Sequence, residues 1–404
     1  MTPFGYTVLG FGSGGVRYSE SIPAGAPATA DATAIHYITT YFDPHNANKF
    51  LIQYRDADNS YYGTMIVGTV SGTSLSFGTP VVFNSGSNSN HLDFAMDSNT
   101  ENSLVIVYRD NGNSEYGTSI VGTIDGTSIS FGAEVVFEST AGVKWNRVSF
   151  DPHNANKFVV MTANSPDTEG SCVVGTVDGT SHSYGTPTNF SDEPPYNQEI
   201  AFDPNTANKF VVSWSGNSTP TNRYGTSAVG TLSGDSISFG TEVVWKSDAV
   251  NSINMVADPN TANNYIIVYE DRAGTNLGAA IAGTVSGTTM SFGSAVTFDA
   301  AGITDDSNSP LGLGADPNNA GKFVISYTAI GNNDYGTAIV GTVDGTSLSF
   351  GDKSVFHSDQ TSFTSLDFDS NGNGKFVIAY KKGMGDPMND NDDYVMAVVG
   401  QIAT

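Results

Sequence analysis

The sequence has little cysteine and little positive charge. Of its 404 residues only Cys172 is a cysteine, and 16 Lys and Arg stand against 41 Asp and Glu, giving a formal net charge of −25. One cysteine excludes an intramolecular disulfide framework. The negative field repels nucleic-acid phosphates and anionic membranes, so we expect neither as a partner.

Long hydrophobic runs are also missing, since none approaches the ~20 apolar residues of a membrane span. Residues 1–5 lack the basic start and apolar core of a secretory signal. We therefore expect no membrane insertion and release by cell lysis, inside a particle or by another route. Helix-forming residues are sparse, whereas Gly, Ser, Thr, Val and Phe are abundant, which indicates an all-β chain.

One turn sequence, of the type Asp-Pro-x-x-Ala-Asn-Lys-Phe, recurs every 52 to 58 residues. We number repeats 1 to 7 by its Asp residues, which are Asp43, Asp97, Asp151, Asp203, Asp258, Asp316 and Asp369. A second motif, Gly-Thr-Val-x-Gly-Thr-Ser-x-Ser-Phe-Gly, follows each turn and is cut short in repeat 7 at residues 400–404. This period is typical of radial β-repeats.

Each repeat predicts four short antiparallel strands, which in repeat 1 are residues 36–42, 49–55, 62–70 and 77–83. Seven units predict one domain, a seven-bladed β-propeller with blades at 33–88, 89–142, 143–194, 195–248, 249–303, 304–358 and 359–404. The last blade lacks its fourth strand, and we expect the N-terminal residues 4–20, through Phe11, Gly12, Val16, Arg17 and Tyr18, to complete it. A β-solenoid would need shorter parallel coils, and immunoglobulin-like units would need about 100 residues each.

Variation among the repeats is confined to one predicted face. The turns after the first and third strands are nearly constant, and an up-and-down sheet places them together on what we call the constant-turn face. The connections from second to third strand and from repeat to repeat differ, and they lie on the opposite, variable face. Aromatic and charged residues there suit sugars and anionic groups. The candidate ligand-binding residues are Arg55, Asp56, Arg109, Asp110, Trp145, Arg147, Tyr196, Trp214, Arg223, Asp271, Arg272 and Lys381.

A structural explanation competes with the binding hypothesis. Aromatic residues that end the second strands, such as Tyr54, fit packing between sheets. Neighbours such as Arg55 and Asp56 fit rim ion pairs of little energetic worth. Trp145 and Trp214 are the better binding candidates, because they lie in loops or at strand ends.

Metal and catalytic motifs are weak. Residues 369–374 match the first half of a calcium loop, but Tyr380 stands where a bidentate Glu is required. The better calcium candidate is the long loop of repeat 7, for which a solvated acidic loop is the alternative. Its candidate ligands are Asp386, Asp390, Asp392 and Asp393. We expect no required cofactor.

Other motifs also fail to indicate chemistry. No histidine pair has the spacing of a zinc site, and the glycine pattern at residues 10–15 continues as strand instead of opening a helix. The Ser-x-Asp-x-Gly-x-Thr-Trp box of sialidases is absent, and no acid/base carboxylate pair stands out. We therefore expect no enzymatic activity.

Residues 108–132 read Tyr-Arg-Asp-x-Gly-Asn-Ser-x-Tyr-Gly-Thr-x-Ile-Val-Gly-Thr-x-x-Gly-Thr-Ser-Ile-Ser-Phe-Gly. This repeat resembles one in uncharacterised proteins of marine bacteriophages and picoplankton, where it is similar to parts of tail-fibre or other virion-surface proteins. The resemblance covers roughly residues 33–404. It implies a virion protein released by lysis, and it implies no catalytic or binding residue.

These observations together predict a non-enzymatic binding module that recognises a host-surface glycan through its variable face. A rigid repeated frame with variable loops on one side favours recognition. The alternative is a structural adaptor that binds another virion or cell-surface protein. A polysaccharide-degrading enzyme is the third hypothesis.

Overall fold

The structure is a computed structural model that describes residues 22, 25–139, 142–164, 169–217, 223–273, 276–303, 311–372, 374–383 and 393–402. β-Strands dominate it. The described helical segment is the three-residue 3-10 turn Ile330–Asn332, and no helix within the described ranges is long and apolar enough to cross a membrane.

The strands follow the repeats along the chain. The first strand and repeats 1 to 3 comprise β1 (Ala28–Asp31), β2 (Ile35–Phe42), β3 (Lys49–Asp56), β4 (Tyr62–Ser71), β5 (Ser74–Phe77), β6 (Val81–Asn84), β7 (Ser89–Met96), β8 (Ser103–Asp110), β9 (Tyr116–Asp125), β10 (Ser128–Phe131), β11 (Val135–Glu138), β12 (Lys144–Phe150), β13 (Lys157–Ala163), β14 (Gly170–Asp178), β15 (Ser181–Tyr184) and β16 (Thr188–Ser191). Repeats 4 to 7 comprise β17 (Tyr196–Phe202), β18 (Lys209–Asn217), β19 (Arg223–Ser233), β20 (Ser236–Phe239), β21 (Val243–Ala257), β22 (Asn264–Asp271), β23 (Leu277–Ser286), β24 (Thr289–Phe292), β25 (Val296–Asp299), β26 (Gly312–Ala315), β27 (Lys322–Ala329), β28 (Tyr335–Asp344), β29 (Ser347–Phe368), β30 (Lys375–Lys382) and β31 (Tyr394–Gln401). β21 and β29 each end one repeat and begin the next.

Each repeat forms an antiparallel sheet in which sequence neighbours pair. In repeat 1, β2 pairs with β3, β3 with β4, and β4 with both β5 and β6, so the fourth strand is divided in two. β3 is buried without a break from Phe50 to Tyr54, because both faces of the sheet are covered by neighbours. This explains why the second strands are mostly apolar instead of alternating between apolar and polar residues.

In six of the seven repeats a glycine of the third strand makes room for a large side chain of the second strand. Phe50 pairs with Gly68, and a Cβ at Gly68 would lie 2.2 Å from Cζ of Phe50. The ring therefore lies across the glycine, where any other residue would displace it. Phe158 and Gly175 repeat this arrangement, with a corresponding distance of 2.1 Å.

The hydrophobic core lies between consecutive sheets. Phe83 of repeat 1 packs on Tyr108 of repeat 2, with ring centroids 5.5 Å apart. Phe190 of repeat 3 packs on Trp214 of repeat 4, at 5.0 Å. One cluster joins repeat 7 to repeat 1, so the first and last sheets share a core as the others do.

The Asp turns are linked to one another around the constant-turn face. A side chain of one turn donates a hydrogen bond to a backbone carbonyl of the next, as Asn260 does to Asp316 at 2.8 Å. The last turn returns to the first, because Asn371 Nδ2 donates to the carbonyl of Pro44 at 3.3 Å. Asp369 Oδ2 also accepts from the backbone N–H of Asn48 at 2.8 Å. These turns therefore bind the last repeat to the first.

Pairing of the outermost strands also joins the N-terminal part of the chain to the last repeat. β1 pairs with β31 antiparallel, and Ala28 lies opposite Ala397 as Val81 lies opposite Met65 in repeat 1. The N–H of Gly25 donates to Val399 O at 2.8 Å. An N-terminal strand thus completes the last sheet, but the residue assignment was wrong. The predicted segment 4–20 lies outside the described residues, and Ala28–Asp31 holds the fourth-strand position, since Gly25 and Pro27 reproduce the Gly-x-Pro of residues 78–80.

The first strands lie at the centre of the molecule. They contact one another in the order β2, β7, β12, β17, β21, β26, β29 and back to β2. The sheets are therefore arranged radially around a central channel, as the repeat period predicts. The chain has an all-β, propeller-like fold of antiparallel sheets.

Candidate functional site

A β-bulge interrupts the first strand where it meets the variable face. In repeat 1 the register shifts between His36 and Ile38, and Tyr37 between them has a left-handed φ of 55°. The same feature recurs in five further repeats. The left-handed residues are Tyr37, His91, Trp145, Asn197, Ser252 and Phe363. Left-handed backbone is costly for residues other than glycine. Its repetition marks this position, the mouth of the channel, as a designed feature of the sheet.

Four of these side chains form an arc of rings. His91 and Trp145 lie 5.1 Å apart between centroids in an edge-on contact, Tyr37 and His91 lie 6.1 Å apart, and Tyr37 and Phe363 lie 6.3 Å apart. Aromatic rings at these centroid distances prefer edge-on to face-to-face contacts. Tyr37, His91 and Trp145 are partly exposed, whereas Phe363 is buried. The arc therefore offers aromatic surface at the channel mouth in repeats 1 to 3.

Basic side chains gather beside this arc. The pKa of His91 is lowered to about 3 by burial and by the positive charges of Arg109, Arg147, Lys144 and Arg55. His91 is therefore neutral across the physiological range, mainly because it is buried, and the four cations near it lower its pKa further. We call Arg55, Arg109 and Lys144 the cationic patch, since they lie on the variable face itself.

Arg55 has the most distinctive surroundings in the patch. Its guanidinium lies 4.3 Å from the ring centroid of Tyr61, and its Nη2 donates to Asn88 Oδ1 at 2.9 Å. No carboxylate pairs with Arg55 among the described residues. Burial and the like charge of Arg109 lower its pKa. Arg109 itself contacts the exposed Glu115 only at 3.9 Å. Arg55 and Arg109 therefore hold positive charge that carboxylates of the described residues do not neutralise at close range.

Arg147 belongs to the wall of the channel. Its Nε donates to Glu199 Oε1 at 2.7 Å and its Nη1 donates to the Asn146 carbonyl at 3.0 Å. Asp93 and Glu199 raise the pKa of Arg147 against the opposing effect of burial. The prediction that Arg147 binds ligand directly is therefore not supported, because an internal ion pair already engages its guanidinium.

Buried carboxylates line the same channel. Burial raises the pKa of Asp93 to about 6, of Glu199 to about 7 and of Asp367 to about 7. Asp93 and Asp367 each accept a backbone N–H from the next first strand, at 3.0 Å from Val148 and 2.7 Å from Phe42. These carboxylates thus fasten neighbouring repeats together.

The variable face of repeats 4 and 5 pairs its charges more tightly. Arg223 stacks over Tyr196 with its guanidinium carbon 4.2 Å from the ring centroid. Lys246 bonds to Asp271 at 2.8 Å, and Arg272 contacts the buried Glu270 at 3.4 Å. The predicted residues Tyr196, Arg223, Asp271 and Arg272 lie on the variable face, apart from the aromatic arc.

Three predicted residues are buried and structural. Trp214 is 1% exposed and packs in the core, so its assignment to a ligand-binding surface was wrong. Lys381 is also buried and pairs with Asp393 at 2.7 Å, which removes it from the surface. Asp56 accepts the N–H groups of Asp58 and Asn59, so its carboxylate shapes the loop after β3. Burial separates these residues from the partly exposed members of the patch.

The calcium prediction remains largely outside the structure. Asp386, Asp390 and Asp392 lie outside the described residues. Asp393 is engaged by Lys381, which makes it a poor metal ligand. Among the residues that are described, no group of three His, Cys, Asp or Glu side chains is placed to hold a metal ion.

The channel opens differently on the constant-turn face. A cavity of about 340 Å³ lies there, with Phe42, Pro44, Met96, Phe150 and Pro152 among its lining residues. Its wall is mainly apolar. The two ends of the channel therefore differ in chemistry, with rings and basic groups at the variable face and apolar side chains at the other.

Sequence reasoning missed Tyr37, Tyr61 and Phe363. A signal for the first and last of these was present, because each left-handed residue lies six positions before the Asp of its turn. Tyr61 carried no such spacing signal, and its role depends on the side chain of Arg55 reaching it across a loop.

No protein-family model and no curated protein matches the sequence. Among solved structures, the chain is similar to Sqt1 of Chaetomium thermophilum bound to the N-terminus of ribosomal protein L10, at 10% identity and a TM-score of 0.54, covering 94% of this chain and 99% of the other. A protein of unknown function from Dyadobacter fermentans gives 10% identity and a TM-score of 0.54, with coverage of 95% and 100%. AofleA of Arthrobotrys oligospora gives 9% identity and a TM-score of 0.51, with coverage of 83% and 92%. At such identities the likeness concerns the fold alone.

Proposed function

We propose that the protein is a seven-bladed β-propeller that acts as a non-enzymatic binding module and recognises an acidic glycan through the cationic patch and the aromatic arc. The glycan belongs to a host-cell surface, and the protein acts at the surface of a virion. The resemblance of its repeat to virion-surface proteins supports that setting. The blade count is supported by seven Asp turns in sequence and by contacts that lead from repeat 7 back to repeat 1.

The observation that carries the ligand class is the environment of Arg55. A half-buried guanidinium is stacked on Tyr61 and hydrogen-bonded to a neutral amide, with no carboxylate partner within the described part of the chain. A carboxylate or sulfate group of a ligand would supply the missing charge in a planar, two-donor geometry. The partly exposed rings of Trp145 and Tyr37 can contact the C–H faces of sugar rings. An anionic glycan therefore fits better than a neutral one at this position.

Local chemistry must overcome the charge of the whole protein. The net charge of −25 repels anions at long range, so attraction to an acidic glycan must come from the patch itself. Two of the channel carboxylates support a function without catalysis. Glu199 is paired with Arg147, and Asp93 lies close to the same guanidinium. Neither is presented as a free acid or base.

A structural adaptor remains the second candidate. It is favoured by the apolar cavity on the constant-turn face, which suits an apolar segment of another protein. Sqt1, which shares the fold, is seen bound to the N-terminus of a ribosomal protein. An adaptor would bind a protein partner and would not depend on the cationic patch.

Binding of the purified protein to immobilised polysaccharides tests the proposal. The panel contains a sulfated, a uronate-rich and a neutral polysaccharide, together with intact picoplankton cells. We expect saturable binding to an acidic member, weakened about tenfold or more, about 1.4 kcal/mol, in Arg55→Gln/Arg109→Gln. The control Lys49→Gln/Lys209→Gln removes the same charge from the constant-turn face and should bind as the wild type does.

Two results would contradict the proposal. Equal weakening in both double variants would mean that only net charge matters. Binding to no glycan or cell would remove glycan recognition and leave the adaptor as the better explanation.

A further inference from the structure

A polar cavity of about 300 Å³ lies on the variable face between repeats 1 and 2. Phe83, Asn84 and Asp110 are its buried lining residues, and Gly86, Asn113 and Glu134 are exposed at its rim. Pockets that hold small molecules begin at about this volume. The cavity therefore has room for one small ligand and is distinct from the channel mouth.

Asn84 has a hydrogen-bond donor that nothing uses. Its side-chain Oδ1 accepts from the N–H of Gly86 at 3.1 Å, which fixes the orientation of the amide. Its Nδ2 is buried and has no hydrogen-bond partner in the described structure, although the residue is only 4% exposed. A buried donor without a partner destabilises a protein, so a native one calls for an explanation.

At three equivalent positions the side chain is bonded to the repeat that follows. Asn84 pairs with the residue that follows the first tyrosine of the third strand, and the residue that pairs with this position is Lys246 in repeat 4, His357 in repeat 6 and Asp31 in repeat 7. These side chains bond to Asp271, to Tyr380 and to Tyr54 respectively. At Asn84 that bond is absent, because the hydroxyl of Tyr108 donates to Glu134 instead, at 2.7 Å. The cavity occupies the space that a direct contact fills elsewhere.

Two carboxylates bring acceptors to the same cavity. Asp110 Oδ1 accepts from Ser87 Oγ at 2.6 Å and from the N–H of Gly112 at 2.9 Å. The second oxygen of Asp110 and that of Glu134 have no partner among the described residues. The cavity thus combines two open carboxylate oxygens with one fixed amide donor.

We propose that this cavity binds a single neutral, hydroxyl-rich sugar residue of the glycan. Hydroxyl groups can donate to the carboxylates of Asp110 and Glu134 and accept from Asn84 Nδ2, which satisfies every open group. An anion is disfavoured by the two carboxylates, and no basic residue is among the described lining. A metal cation is disfavoured by the amide donor and by the lack of a third carboxylate. The inference rests on the proposed glycan-binding function and adds a second subsite to it.

The cavity adjoins the cationic patch. Its wall includes Ser85 and Ser87, and the same loop continues to Asn88, whose side chain accepts from Arg55. A glycan that places a neutral residue in the cavity can therefore place an acidic neighbour at Arg55. The two subsites would select a sugar sequence in which neutral and acidic residues are adjacent.

Saturation-transfer NMR with methyl glycosides tests the cavity independently of the patch. The probes are the methyl pyranosides of galactose, glucose, mannose, fucose and N-acetylglucosamine at millimolar concentration. Asn84→Asp keeps the acceptor for Gly86 and removes the donor. Gly86→Leu obstructs the cavity without backbone strain, since a Cβ at Gly86 would meet only Asn84 Oδ1, at 3.6 Å. Asn59→Asp adds the same charge at an exposed position of the variable face and is the matched control.

We expect at least one glycoside to bind the wild type and to bind about tenfold or more weakly to Asn84→Asp and to Gly86→Leu. Asn59→Asp should bind it as the wild type does. Binding that survives both cavity variants would overturn the assignment, and so would a failure of every glycoside to bind. Thermal stabilisation by calcium alone, lost in Asp110→Asn, would also overturn it in favour of a metal. The glycan-binding proposal is tested separately, and it fails if polysaccharide binding by the wild type is absent or does not depend on Arg55.

Discussion

Ser119 and His182 join the third strand of repeat 2 to the outer hairpin of repeat 3, with Nε2 of His182 2.7 Å from Oγ of Ser119. The Ser119 hydroxyl donates to the carbonyl of Val135 and accepts from Tyr184, so His182 must donate from Nε2. Its Nδ1 is then left buried without a partner. Protonation would add a hydrogen there with no acceptor, and burial lowers the pKa of His182 to about 4.

His182 should therefore make the protein acid-sensitive. Its pKa is lower in the folded state than the usual 6.5, so the unfolded chain binds a proton first and stability falls from about pH 6.5 towards pH 4. In His182→Leu, which resembles Ile129 and Ile237 at the equivalent positions, this contribution should disappear. Urea unfolding at pH 7 and pH 5 measures it. An unchanged loss in His182→Leu, with the exposed His153→Gln as control, would show that His182 is already protonated in the fold.

Asp367 should have the opposite effect. Burial raises its pKa from 3.8 to about 7, so the folded state holds a proton that the unfolded chain has lost. Its stabilising contribution is complete below about pH 4 and is lost as pH rises through about 7. Asp367→Asn, which can still accept from Phe42, should raise the free energy of unfolding at pH 8 by about 2 kcal/mol and change little at pH 4. Unfolding curves at both values check this, with the exposed Asp125→Asn as control.

The buried pair of Lys381 and Asp393 should be sensitive to loss of one partner. Lys381→Met leaves an unpaired buried carboxylate and should destabilise by about 3–5 kcal/mol, whereas Lys381→Met/Asp393→Leu should recover most of that loss. Denaturant midpoints of the single and double variants measure the effect. A double variant no more stable than Lys381→Met would mean that the two charges are not coupled.

Trp145 and Trp214 should respond differently to the same substitution. Trp214→Ala removes a core side chain and should destabilise by about 3–5 kcal/mol. Trp145→Ala removes a partly exposed ring, so we expect a smaller loss of stability and a clear loss of polysaccharide binding. Thermal unfolding and binding on one panel separate the two. Equal effects of both variants on stability would place Trp145 in the core and remove it from the binding surface.

Much of the fold could be predicted because the repeat occurs many times in one chain. Constant positions such as Asp43 and Gly68 have fixed backbone requirements, and their period indicates the sheets directly. The residues of the closing strand were mistaken because Phe11 and Gly12 imitate the outer strand in composition. What decides the pairing is the bond from Gly25 to Val399, and this depends on a contact between distant parts of the chain.

The site was predictable only in outline. Its face was predicted from variation among repeats, and Arg55, Arg109 and Trp145 lie there. Trp214 was misassigned because its strand end is buried by the neighbouring sheet, which a single repeat does not show. Asn84 gave no signal at all, since its importance comes from a missing bond between two repeats.

In six of the repeats the left-handed position at the head of the first strand carries Tyr, His, Trp, Asn, Ser or Phe on the same bulge. Because the constant-turn bonds hold the frame from the opposite side, we expect the partly exposed side chains among these, Tyr37, His91 and Trp145, to be exchangeable without loss of the frame. The channel mouth thus contains positions at which the side chain can vary while the backbone stays the same. Asn197 and Ser252 are buried, and Asn197 donates to Asn251 of the next repeat, so aromatic residues at these two positions would disturb the packing of repeats 4 and 5.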